Sequence, residues 1–158
     1  MLAVSLKMIQ FLSKPTTSSI EMSAPIDIVW ECMLNTDNWY RANWQIKDIR
    51  RNSSETLNRN ETFEIDTQYE SEGPISTSVV TILDVKPKKK LIFSNNENEQ
   101  QYEFLDKGDE VLVTVTSISK PSFPRLIFRL FGMNEAKLIK KSFLTGMARL
   151  AREKHRIG

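Results

Sequence analysis

From Gln45 to Ser119 the apolar residues recur at every second position, in short runs cut by polar turns. No other feature constrains the fold as tightly. Period-two alternation marks half-buried strands. The connections are only a few residues long, too short for the crossover that parallel neighbours need, so the strands must pair antiparallel in a meander. The cleanest run is Glu61 to Glu70. Phe63, Ile65, Thr67 and Tyr69 face one way, and Glu64, Asp66, Gln68 and Glu70 the other. Glu72-Gly73-Pro74 breaks it, and the run Ser76 to Lys86 ends at Pro87. Leu91 to Asn95 follows, then Gln100 to Leu105, which presents Tyr102 and Phe104 together. A Lys107-Gly108-Asp109 hairpin turn leads to Glu110–Ser119, with Val111, Val113 and Val115 on one face. Ile46 to Asn52 and Thr16 to Ser23 add strands, giving six or seven in all.

Helical spacing appears twice. After the first strand, Ser23 can cap and Pro25 suits a first helical turn. Ile26, Val29, Trp30 and Met33 then form one stripe. Asn35-Thr36-Asp37 ends that helix, and Thr36 or Asp37 caps a second short turn carrying Trp39 and Tyr40. The second helical stretch runs from Arg125 to Arg156, with Ile139, Phe143, Met147 and Leu150 on one face. Gly132 kinks or caps its first piece, RLIFRLFG. A sheet with one apolar face must cover it, and this helix is the only long amphipathic element available.

A chain of 158 residues with 40% hydrophobic and 27% charged residues forms one α+β domain, expected over 15–158. Residues 1–14 are expected to be a lead-in or a tail. Lys7 interrupts their apolar run, which is too short to span a bilayer and has no small-residue cleavage site. The single cysteine, Cys32, excludes an intramolecular disulfide and fits a reducing cytoplasm. Its apolar helical setting suits a buried structural thiol better than a nucleophile. Net charge is +2, but residues 120–158 carry ten Lys/Arg against two acids. This asymmetry fits either the solvated face of a terminal helix packed on an acidic sheet or a surface for an anionic partner.

The stretch SSIEMSAPIDIVWECMLNTDNWYRANW, residues 19–44, resembles the opening of the START-like (SRPBCC, polyketide-cyclase-like) helix-grip family. DVKPKKKLIF resembles the family's turn-and-strand, and the likeness runs over residues 15–156. It implies a helix-grip fold: a curved antiparallel sheet wrapped around a long C-terminal helix, with two small helices after the first strand. It also implies a lipophilic cavity between sheet and helix. On that model Phe63, Ile65, Tyr69, Tyr102 and Phe104 point inward from the sheet. Phe143 and Met147 face them from the helix, and Trp39 and Trp44 border the entrance. Each of these residues can equally be core. Gly146 is expected to let the helix pack closely on a strand, or to widen the cavity.

The expected partner is therefore a hydrophobic small molecule, lipid- or polyketide-like. No catalytic set can be mapped. The one histidine, His155, lies in the basic C-terminal segment, and no metal cluster, phosphate loop or nucleophile elbow implies a cofactor. A cyclase- or dehydratase-type enzyme would need a buried ionisable group such as Asp84, Glu103 or a tyrosine, and the two carboxylates face inward only if a bulge shifts the register. As an interaction protein, the chain would use its basic helix or the segment around Arg125 and Arg129 for transient contact with a membrane surface. No nucleic-acid partner is expected, because no reading motif accompanies the basic residues. Oligomeric state is not legible.

Overall fold

The computed structural model describes residues 15–53, 55–120 and 135–158, with side chains in the last stretch from residue 141 on. The N-terminal lead-in and the RLIFRLFG segment lie outside these residues. Seven strands run in chain order: β1 (Thr16–Met22), β2 (Ile46–Arg50), β3 (Thr62–Gln68), β4 (Ile75–Lys86), β5 (Lys90–Ser94), β6 (Asn98–Asp106) and β7 (Val111–Ser119). Helices α1 (Ile26–Leu34) and α2 (Asp37–Ala42) join β1 to β2, and α3 (Glu135–Ile157) ends the chain. All seven strands belong to one antiparallel sheet, ordered β1-β7-β6-β5-β4-β3-β2. Consecutive strands from β2 to β7 are neighbours, as short turns require. β1 pairs with β7, so the chain's first strand lies beside its last.

The expected alternation sets which face is buried. Phe63 and Ile65, Val80 and Ile82, Leu91 and Phe93, Tyr102 and Phe104, and Val111, Val113 and Val115 are all buried. From the helices, Val29, Trp30, Cys32, Met33, Trp39, Phe143, Leu144, Met147, Leu150 and Ala151 complete one core. Burial pushes the Cys32 thiol pKa up, which keeps it protonated and unreactive.

Local details differ from the sequence expectations in two places. Ser23 does not cap α1: Pro25 holds the N-cap position without a side-chain hydrogen bond, and its carbonyl accepts from Ile28 and Val29. Gly146 does not face a strand. A Cβ there would lie 2.2 Å from the carbonyl oxygen of Ala42, so the glycine lets α3 touch the backbone at the end of α2.

The loop between β2 and β3 is held by Arg51, whose side chain is only 7% exposed. Its Nε donates to Glu61 at 2.7 Å, and its other nitrogens donate to Thr36 Oγ1 and the Glu55 carbonyl. The guanidinium also lies 5.6 Å from the Phe63 ring centroid. Arg51→Met leaves the mostly buried Glu61 carboxylate without its cation. The expected cost is about 2 kcal/mol, below the 3–5 kcal/mol of a fully buried pair because Glu61 keeps some water. Urea unfolding of the two proteins measures it; equal midpoints would show that the loop needs no ion pair.

Candidate functional site on the concave face

Strand register decides which side chains meet on the concave face, because directly opposed residues of an antiparallel pair share a face. Phe93 lies opposite Ile82 and Gln100, Tyr102 opposite Val115 and Leu91, and Phe63 opposite Val80. Five rings gather there. Trp39 stands with its ring centroid 6.1 Å from Phe63, 5.5 Å from Phe93 and 5.9 Å from Phe143. Tyr102 stacks on Phe93 at 5.5 Å, 22° from parallel, and meets Phe143 edge-on at 6.2 Å. Farther along the sheet Trp30 packs edge-on against Phe104 at 5.1 Å. Such offset and edge-to-face pairs add to the burial of the rings themselves.

The face is graded along the strands. Near the end of β1 and the start of β7 it is aliphatic, with Met22, Val111 and Val113. Past the ring cluster, toward the start of β6 and the end of β7, the same register positions become polar. Gln100 lies opposite Ser117, Ser117 opposite Thr16, and Ser76 opposite Thr67. The Tyr102 hydroxyl donates to Gln100 Oε1 at 2.7 Å. Full burial raises the Tyr102 pKa well above the ordinary phenol value, so the group remains a protonated donor. Ser117 is 2% exposed, and its Oγ is the buried side-chain polar atom among the described residues that has no hydrogen-bond partner. Burying a hydroxyl unpaired costs about 1–3 kcal/mol.

The structure brings together seven of the nine sequence-predicted site residues in the core: Trp39, Phe63, Ile65, Tyr102, Phe104, Phe143 and Met147. Two stand apart. Tyr69 continues the alternation of β3 but lies beyond the last pair, Gln68 with Ile75, and is 50% exposed in the following turn. Trp44, between α2 and β2, is 57% exposed, with the Lys47 ammonium 5.4 Å from its ring centroid. Trp39, expected at the entrance, is instead 2% exposed, and its indole N–H donates to the Met33 carbonyl at 3.0 Å. Sequence reasoning missed Phe93, Gln100 and Ser117. Phe93 alternates with Leu91 and was accessible to a periodicity argument. The two polar residues carried no local signal.

The carboxylates considered for acid–base work face away. A bulge does interrupt β4 between Ile82 and Asp84, and it turns Val85, not Asp84, onto the concave side, opposite Leu91. Asp84 pairs with Ile92 on the outer face, 3.9 Å from Lys86 Nζ. Glu103 lies opposite Lys90, 3.4 Å from its ammonium. On the outer face Arg50 binds Asp48, Glu64 and Asp66, and this guanidinium brings the Asp66 pKa down to about 2. Among the described residues no group of three or more His, Cys, Asp or Glu could hold a metal ion, and no helix is long and apolar enough to cross a membrane.

A hollow of about 310 Å³ lies elsewhere, between β1 and α3, beside Glu21, Ser23, Gly146, Arg149 and Arg152. Arg149 is engaged by Glu153 and the Arg41 carbonyl, Lys154 by Glu31 and Glu21 by Lys107. Part of the basic charge of α3 is thus spent on contacts within the fold.

No family model and no curated protein matches the sequence. Solved structures match in shape. A protein from Nitrosomonas europaea, 16% identical, superposes with a TM-score of 0.68 over 89% of this chain and 95% of its own. The di-domain ARO/CYC StfQ from the steffimycin biosynthetic pathway, 11% identical, gives 0.72 over 96% of this chain and 54% of that one. The Zhui aromatase/cyclase from Streptomyces sp. R1128, 10% identical, gives 0.64 over 89% and 94%. The seven-stranded antiparallel sheet, the two small helices after β1 and the long C-terminal helix are those of the helix-grip fold, and this chain has it.

Proposed function

We propose that this protein binds a small hydrophobic molecule on the concave face, between the sheet and α3. The observation that carries the reading is the meeting of Trp39, Phe63, Phe93, Tyr102 and Phe143 beside a polar end of the same face. Binding sites for small molecules combine an apolar, aromatic lining with a few placed polar groups. The names of StfQ and Zhui support a polyketide-like ligand over a simple hydrocarbon. They also favour a second reading, an enzyme of the cyclase type. Tyr102 is the one buried ionisable group identified on this face among the described residues, and as a neutral phenol it can donate a hydrogen bond but not act as a base at neutral pH.

Phe143→Trp tests the location. The larger indole occupies space beside Tyr102 and Trp39, and uptake of the apolar dye Nile Red is expected to fall at least tenfold while the far-ultraviolet circular dichroism stays unchanged. Undiminished uptake by a folded variant would place the ligand elsewhere. Native mass spectrometry of the protein as purified gives an independent check. A retained mass of a few hundred daltons that extracts as an intact lipophile supports a carrier, whereas steady conversion of an added polyketide by a clean apoprotein would favour the enzyme.

A further inference from the structure

We infer that Ser117 and Gln100 form a hydrogen-bond anchor that takes the neutral carbonyl oxygen of a flat ligand, and that the site selects against carboxylates. The inference rests on the proposed binding reading. Its starting point is a break in pattern. The inward positions of β7 read Val111, Val113, Val115, Ser117. A fourth valine would continue the alternation and carry no polar group, yet the chain places there a buried hydroxyl that no described group satisfies. A buried polar atom without a partner is rare enough in a fold to require an explanation.

The neighbours of Ser117 define what its partner must be. Gln100 lies directly across the β6–β7 ladder. The Tyr102 hydroxyl already occupies Gln100 Oε1, which leaves the amide N–H groups as the free donors. The Ser117 O–H and the Gln100 NH₂ therefore offer donors from adjacent strands, an arrangement that suits one acceptor oxygen. Among the described residues the register places Thr16, Phe93, Asn98, Tyr102, Val115 and Ser119 around them, none of them charged. A carboxylate buried here would meet no cation among the described residues, which is costly, whereas a ketone or quinone oxygen needs only the two donors. The Phe93–Tyr102 stack two residues away provides planar surface for the ring that carries such a carbonyl.

The test uses matched naphthalenes: Prodan, a neutral aromatic ketone with environment-sensitive fluorescence, and 6-dimethylamino-2-naphthoate, its carboxylate counterpart. The full-length protein is expected to bind Prodan at least tenfold more tightly than the naphthoate. Ser117→Ala is expected to weaken Prodan about tenfold, equivalent to about 1.4 kcal/mol, while leaving naphthoate binding unchanged and the unfolding midpoint equal or higher. That combination separates an anchor from a structural serine, whose removal would lower the midpoint. If Prodan and the naphthoate bind alike and Ser117→Ala changes neither, the anchor is overturned while the concave-face binding reading stands. A lowered midpoint with unchanged affinity also overturns it. If neither probe nor Nile Red binds, the binding reading itself fails, and the anchor with it.

Discussion

Trp39→Ala is expected to destabilise the protein by about 4 kcal/mol, the range for truncating a buried tryptophan. For a chain of this length that lowers the melting temperature by roughly 10 °C, at about 2–4 °C per kcal/mol. Three rings lose a partner at once: Phe63 from β3, Phe93 from β5 and Phe143 from α3. The Met33 carbonyl at the end of α1 also loses the indole N–H that ties α1 to α2. Trp39→Phe weights that second part, because it keeps one ring in the cluster and removes the donor along with the smaller ring of the indole. Its expected cost is about 1–2 kcal/mol, the penalty of one unpaired buried group. Calorimetry on the three proteins gives the ordering. If Trp39→Ala cost less than 1 kcal/mol, Trp39 would be a replaceable wall of a ligand site and the hub role would be wrong.

Trp39 also shows where reading a sequence stops. The order strand, two small helices, meander and long helix was legible because each step rests on local chemistry: alternation, turn residues and a helical stripe. The buried face followed from the same alternation, and Phe63, Ile65, Tyr102, Phe104, Phe143 and Met147 are where the pattern put them. Failures came where a partner strand or helix decides. Tyr69 obeys the parity of β3, but parity carries no information on where β4 stops pairing. Asp84 faces out as expected but by the opposite route: the parity of Ile82 alone would turn it inward, and the bulge after Ile82, which nothing in ILDVK announces, turns it out. Trp39 is a short-helix aromatic in the sequence, and only the approach of α3 and β5 makes it a hub. Ser117 reads as the polar tail of a valine strand, and its unpaired hydroxyl exists only in three dimensions.

Gly146 follows the same logic and yields the most sign-sensitive expectation. Alanine is the better helix former by about 1 kcal/mol, so Gly146→Ala on a free-standing α3 would stabilise it. In the folded protein the new methyl would lie 2.2 Å from the Ala42 oxygen, 2.6 Å from its Cα and 2.7 Å from its carbonyl carbon. These are backbone atoms at the end of α2, so no rotamer change relieves the overlap and α3 must move away. Overpacking of this kind costs up to about 3 kcal/mol or more, which exceeds the propensity gain. The expected net loss is about 2 kcal/mol, read as a lower urea midpoint with an unchanged slope. Thr145→Ala, one residue away on the exposed side, serves as the control and should change stability by less than about 0.5 kcal/mol. Ala42→Gly should not rescue Gly146→Ala, because the clash is with the Ala42 main chain and not its methyl. A rescue, or a stabilised single variant, would mean that α3 does not rest on α2. The approach that carries Phe143 to Trp39 and Tyr102, and with it the floor of the proposed site, would then have to be redrawn.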